Sequence, residues 1–339
     1  MNTDKLRVNW VDYAKGLGII LVVFGHSIAG INDAKLPINQ TFYQSAFGFI
    51  YSFHMPLFFA LSGMFFQRSL QKSTPWEFVK NKLQTILYPF IIWSLIQTSI
   101  EVLFSSQTNS GIPLRDLLTC LIVPRSVYWF LFALFFINII NVLTFSYIRK
   151  YSLLISTLVW LVFYIFRPDF EPFNKTFFNL IYFNFGILLS QQAAIFRNIL
   201  EKRAALISMI LLLVVGEYFY FALGKTYWLN PLLPAFAGTL LVMQLSYRRA
   251  EKKGSNFITF LGKNSMTIFL MHIIFTSGIR IILQRMLHID NVVVHILVTT
   301  LSGIFIPLVF KYIISYKPQL NLLFQYQADL FRTHRNANA

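Results

Sequence analysis

The stretch Asp12-Tyr13-Ala14-Lys15-Gly16-Leu17-Gly18-Ile19-Ile20-Leu21-Val22-Val23-Phe24-Gly25-His26 decides how the rest of the chain is read. Residues 16–25 contain no polar side chain, and the apolar run extends from residue 10 to residue 31 once the polar points Asp12, Lys15 and His26 are allowed for. A bilayer crossing needs about 20 predominantly apolar residues, so this segment is long enough to span. Comparable runs recur near residues 45–67, 84–105, 127–148, 151–167, 176–195, 204–223, 229–247, 258–283 and 291–313. The run at 151–167 is short and stops at Arg167-Pro168-Asp169, and the run at 258–283 is unusually polar at its start, Lys263-Asn264-Ser265.

Composition agrees with that pattern. Of 339 residues, 56% are hydrophobic and 12% are charged, against about 25% charged in a soluble domain. The expectation is an all-α, polytopic integral membrane protein with about ten transmembrane helices. A membrane domain covers residues 1–316 and a cytoplasmic tail residues 317–339, where an interfacial amphipathic segment is expected.

The net charge of +16 would suggest nucleic acid in a soluble protein. Here the basic residues lie between apolar runs. With the N-terminus inside, 21 of the 29 Lys and Arg residues fall on the inner side, which leaves 8 outside. Cytoplasmic segments carry such an excess, so both termini are expected in the cytoplasm and no nucleic-acid partner is required. Cys120 is the single cysteine, which excludes an intramolecular disulfide and a cysteine metal cluster. The start also has the outline of a signal peptide, with Ser27-Ile28-Ala29 as a cleavage tripeptide. Cleavage would remove Asp12, Lys15 and His26, and an intact N-terminus is the expectation.

Ionisable groups inside spans are costly and mark function. Asp12 and Lys15 stand at helical i,i+3 spacing. Lys15 and His26 are eleven residues apart, which on a helix places them roughly 20° apart in azimuth and about 16 Å apart along the axis. The bland alternative is an interfacial ion pair below a histidine that bonds a neighbouring helix. His54 precedes Met55-Pro56 at a depth like that of His26, Ser62 lies two turns on, and Arg68 closes the inner end of the span. Ser265 and His272 are seven residues apart and share a face. His288, His295 and His334 are expected at the periphery, and no metal site is expected. Glu101, Asn138, Asn141, Glu217 and Arg280 are weaker candidates for lining a cavity or bonding helices. Trp129 and the Tyr227-Trp228 pair fit an aromatic belt, and Arg115, Asp116 and Arg125 a polar outer mouth.

Taken in order, several of these segments resemble the acyltransferase-3 integral-membrane O-acyltransferases, and within them the fucose 4-O-acetylase-like branch. They are Asp12 to His26, Phe53-His54-Met55-Pro56-Leu57-Phe58-Phe59 with Ser62-Gly63, Tyr88-Pro89-Phe90 with Trp93, Tyr128-Trp129-Phe130-Leu131, and Leu261-Gly262-Lys263-Asn264-Ser265 with His272. Many relatives carry Arg where this chain has Lys15, and an Arg-x-x-Arg pattern of some relatives is incomplete at Arg68.

The resemblance implies a bacterial inner-membrane enzyme. It would move an acetyl or similar short acyl group from acyl-CoA, a donor substrate and not a resident cofactor, to a hydroxyl of a cell-surface or exported glycan. A base must take the hydroxyl proton, and imidazole suits that task because its ordinary pKa is about 6.5. His26 is the expected base. Asp12 orders Lys15, while Lys15 and Arg68 meet the donor. Ser62, Trp129, Asn264 and Ser265 line the donor site or pocket, and His54 and His272 shape the pocket or stabilise the developing oxyanion. A polar face descending through the membrane also suits a transporter or flippase for a glycan or lipid-linked sugar, although the sequence shows neither repeated halves nor matched broken helices.

Overall fold

A computed structural model describes residues 3–105, 112–148, 150–166, 171–222, 232–253, 256–316 and 318–325. The expected belt pair Tyr227-Trp228, the stop at Arg167-Pro168-Asp169, His334 and the tail beyond residue 325 lie outside the described residues. Every regular element among the described residues is helical: α1 (Thr3–Asp33), α2 (Gln40–Leu70), α3 (Pro75–Lys82), α4 (Tyr88–Leu103), α5 (Arg115–Thr119), α6 (Trp129–Tyr147), α7 (Ser152–Phe166), α8 (Glu171–Gln191), α9 (Ala193–Glu201), α10 (Arg203–Ala222), α11 (Leu232–Lys253), α12 (Phe257–Lys263), α13 (Ser265–Ile281) and α14 (Val292–Ser315).

The boundaries have local causes. α1 stops where Lys35 takes the left-handed region, φ 58°, ahead of Pro37. α2 then starts under Asn39, whose side chain accepts from the Phe42 amide at 2.9 Å. Thr74 and Glu77 form a reciprocal capping box before Pro75. A π turn over Leu83–Leu87 joins α3 to α4. Pro89 brings no amide hydrogen to that register, and the wide turn absorbs the mismatch.

Among the described residues, seven helical stretches are long and apolar enough to cross a membrane: Asn9–Asp33, Gln40–Leu70, Pro75–Leu103, Ser126–Tyr147, Arg203–Ala222, Ser265–Met286 and Val292–Ser315. The chain is a multi-pass membrane protein. The other three expected crossings coincide with α7, α8 and α11, which are shorter or more polar. α7 has 15 residues, α8 carries Asn174, Lys175, Asn179 and Asn184, and α11 ends Arg248-Arg249 before its last turn. The run at 258–283 is divided, because Asn264 ends α12 and its side chain bonds back to the Phe260 carbonyl at 2.9 Å.

Residues 1–65 and 182–305 form one compact unit, and residues 66–181 with 306–339 a second. In the first unit α1 packs on α11, α12 and α13. Lipid removes the hydrophobic drive between helices, so close van der Waals packing takes its place. Two glycines permit it here. A Cβ on Gly16 would sit 2.0 Å from the Ile258 carbonyl oxygen, and one on Gly262 would sit 1.7 Å from that of Asp12 and 2.9 Å from the Gly16 nitrogen. Ten residues further along both segments of the pair, His26 meets His272, with ring centroids 5.2 Å apart. α1 and the α12–α13 pair therefore run parallel. α2 and α8 use the same device, Gly63 against the Phe183 carbonyl and Gly186 against that of Ala60, each at 2.0 Å for an added Cβ.

The second unit is held differently. Asn138 and Asn141 on α6 bond back to the Leu134 and Ile137 carbonyls, and Ser156 of α7 donates to Asn141 at 3.3 Å. Trp93 of α4 donates to the Leu323 carbonyl at 2.7 Å. Asp116 lies between Arg125 at 2.5 Å and Arg115 at 3.8 Å.

Candidate active site

Three helices of the first unit bring the intramembrane histidines together. α1 supplies His26, α2 supplies Tyr51 and His54, and α13 supplies His272. The Tyr51 ring centroid lies 5.8 Å from that of His26 and 4.7 Å from that of His54. Tyr51 is itself stacked on Phe47 at 3.8 Å, which fixes its ring plane. Its hydroxyl lies 3.2 Å from His26 Nδ1 and 3.4 Å from Nε2.

The three imidazoles are not equivalent. His54 Nδ1 donates to the Ile50 carbonyl at 2.7 Å, and His272 Nδ1 donates to the Phe269 carbonyl at 2.8 Å, with Ile268 at 3.2 Å. Those bonds assign the Nδ1–H tautomer to both and leave each Nε2 with a lone pair. His272 Nε2 is shut off from solvent with no partner among the described residues. His54 and His272 are 1% and 0% exposed, while His26 is partly accessible. His26 is thus the one imidazole of the three with no backbone carbonyl on its ring nitrogens and with part of its surface uncovered.

Lys15 and Asp12 form the expected ion pair at 3.7 Å, with Lys15 about a third exposed (35%) and Asp12 largely covered (11%). Asn264 and Ser265 occupy the break between α12 and α13, at the Asp12 end of the α1 seam and not beside the histidines. Ser62 is half-buried on α2. Arg68, exposed, and Trp129, half-buried under Lys175 at 5.9 Å, belong to the second unit. His295 corrects the expectation of a peripheral residue. It is fully buried in the first turn of α14 and bonds the Ile289 carbonyl through Nε2 at 2.7 Å, because the turn after α13 folds back over it.

Two features escaped the sequence reading. Tyr51 stands one turn before His54, a spacing that pointed to it had tyrosine been counted as a polar group. Ser52 donates to Glu217 of α10 at 2.5 Å, with the Phe49 carbonyl as its alternative acceptor at 2.8 Å. Glu217 was already a weak candidate, and its role as a bond between helices is the one seen.

A family model described as an acyltransferase domain matches residues 8–316. The chain belongs to the acyltransferase-3 family. The match runs across both units and takes in the histidine cluster and the Asp12–Lys15 pair. The nodulation protein NolL of Sinorhizobium fredii (strain NBRC 101917 / NGR234) is 30% identical over 152 residues, covering 44% of this chain and 40% of that protein. The nodulation protein NolL of Mesorhizobium japonicum (strain LMG 29417 / CECT 9101 / MAFF 303099) is 32% identical over 126 residues, 37% of this chain and 32% of that one. The chain thus spans two fifths or less of the curated relatives it matches. No solved structure matches it.

Proposed function

We propose that this acyltransferase-family protein is an O-acyltransferase. It takes acetyl or another short acyl group from acyl-CoA on the cytoplasmic side of a bacterial inner membrane and places it on a hydroxyl of a cell-surface or exported glycan. The observation that carries the reading is the His26 ring, free of backbone carbonyls and set against Tyr51 and the buried His272 inside a membrane-spanning unit. The reading includes ten crossings with both termini cytoplasmic.

In the reaction the acceptor oxygen attacks the thioester carbonyl carbon while His26 takes the hydroxyl proton. A C–O bond forms, the C–S bond breaks, and the proton on His26 passes to the leaving thiolate to give free CoA. The charge that develops on the carbonyl oxygen needs a donor. His54 and His272 have committed Nδ1–H to carbonyls, so in their neutral forms they offer lone pairs there, and shaping the pocket is the role left to them. The Tyr51 hydroxyl is the donor at hand. Lys15, held by Asp12, and Arg68 are assigned to the donor's phosphates. Ser62, Trp129, Asn264 and Ser265 keep a donor-site or pocket assignment that rests on the family resemblance.

The test incubates purified wild-type protein and His26→Ala with radiolabelled acetyl-CoA and a polysaccharide extract. Label should enter glycan with wild type, together with free thiol, and be absent with His26→Ala while the variant elutes as folded protein. Transfer by His26→Ala at the wild-type rate sinks the base assignment, and consumption of neither acetyl-CoA nor succinyl-CoA by wild type sinks the enzyme reading.

A further inference from the structure

Beyond the histidines, the α1/α13 seam holds a cation that the mechanism above does not use. His272, Thr276 and Arg280 follow one another at four-residue intervals on α13, and all three are buried, Arg280 to 6% exposure. The Arg280 side chain passes over the bare backbone of Gly30 on α1, where an added Cβ would lie 3.6 Å from its Nε. Gln284, one turn on, reaches the Ala34 carbonyl at 3.4 Å and ties the two helices together beyond it.

Arginine does not shed its proton, and burying its guanidinium is costly unless the charge is paired or its donors are satisfied. The described residues provide no acidic side chain within bonding distance. Nε of Arg280 is sealed from solvent without a partner, and the ion pairs among the described residues join Asp12 to Lys15 and Asp116 to Arg115 and Arg125. The charged groups that act on Arg280 are Asp33 and Arg285. Asp33 is exposed at the end of α1, and Arg285 repels. The Arg280 guanidinium is therefore buried with no acidic side chain bonded to it among the described residues, and its planar fork fits a carboxylate or a phosphate.

Position along α1 says which substrate brings that anion. Gly30 is one turn past His26, about 6 Å of rise, whereas Lys15 is about 16 Å away on the other side of His26. The donor's phosphates are assigned to the Lys15 end, and the Arg280 side chain meets α1 one turn beyond His26 on the opposite side. We propose that Arg280 is the subsite for an anion carried by the acceptor, so that the enzyme selects an acidic glycan, a uronate or a sugar phosphate, over a neutral one. This deepens the acyltransferase reading and rests on it for the meaning of "acceptor".

The experiment measures binding to the full-length protein in neutral detergent by thermal shift. The probes are glucuronate, glucose 1-phosphate, glucose, short-chain phosphatidylglycerol and acetyl-CoA. Wild type should bind at least one of the two sugar anions tenfold or more tightly than glucose. Arg280→Gln should lose that preference while it still shifts with acetyl-CoA, and Arg280→Lys should keep part of it. Equal binding of glucose and both sugar anions by wild type overturns the proposal, as does an unaltered preference in Arg280→Gln. A response to phosphatidylglycerol and to neither sugar anion makes the ligand a lipid headgroup and overturns it as well. If Arg280→Gln fails to fold, the wild-type ratio and Arg280→Lys decide. Failure of wild type to bind acetyl-CoA counts against the donor reading instead, and leaves the comparison between sugars to stand.

Discussion

In the proposed reaction the Tyr51 hydroxyl is the oxyanion donor that neutral His54 and His272 cannot supply. That hydroxyl is within 3.2 Å of His26, while the Nδ1–H groups of His54 and His272 are bonded to their own helices. Tyr51→Phe keeps the ring stacked on Phe47 and removes only the hydroxyl. Turnover should fall by on the order of 100-fold, the cost of one oxyanion donor, with the KM for acetyl-CoA unchanged. Steady-state kinetics check this, and wild-type turnover in Tyr51→Phe would remove the residue from the reaction. The contrast with the histidines shows what a sequence discloses at this scale. His26, His54 and His272 were legible because an ionisable side chain in an apolar run is expensive and stands out. Tyr51 was not, since it is one of 16 tyrosines in a chain where aromatic side chains are ordinary membrane residues. Arg280 was visible as a polar residue, but its lack of an ion pair is a property of three-dimensional packing that no spacing reveals.

At the scale of elements, the site depends on how closely α12 and α13 approach α1. The separation at Gly16 and Gly262 leaves no room for a methyl group, because the atoms in the way are backbone oxygens that cannot swing aside. Gly262→Ala should therefore destabilise the protein by about 1–3 kcal/mol, the usual cost of overpacking. It should also lower turnover by shifting His272 against His26. Gly278 on α13 is the control, for a Cβ there meets nothing within 4 Å, and Gly278→Ala should gain about 0.5–1 kcal/mol from helix propensity alone. Thermal unfolding in detergent checks both, and equal melting temperatures for the two variants would refute the close-packing argument. The apolar run at 258–283 announced a helix, and Lys263-Asn264-Ser265 announced its break. Its partner was hidden, because periodicity gives the face a helix buries and not the helix that covers it.

For the whole molecule, the parallel run of α1 and α13 constrains topology. If only the seven long apolar stretches crossed, four crossings would separate the first from Ser265–Met286, and the two would run in opposite directions. The contacts of Gly16 with Gly262 and of His26 with His272 require the same direction. With all seven of those stretches crossing, an odd number of α7, α8 and α11 must cross as well. Counting all three gives the ten crossings proposed from hydropathy, and it keeps the excess of Lys and Arg inside. The two counts differ at places that can be labelled. On a Cys120→Ser background, single cysteines at Lys35, Lys202, Lys263 and Asp290 are all at exposed positions. With ten crossings, a membrane-impermeant maleimide should modify Lys35→Cys and Asp290→Cys in intact cells. Lys202→Cys and Lys263→Cys should react only after permeabilisation. With seven crossings Lys202→Cys stays inside, but Lys263→Cys and Asp290→Cys exchange sides. Labelling of Lys263→Cys from outside would therefore place the Lys15 end of the seam and the start of α13 on opposite faces of the membrane, which the α1/α12 contact forbids, and would overturn the packing together with the topology.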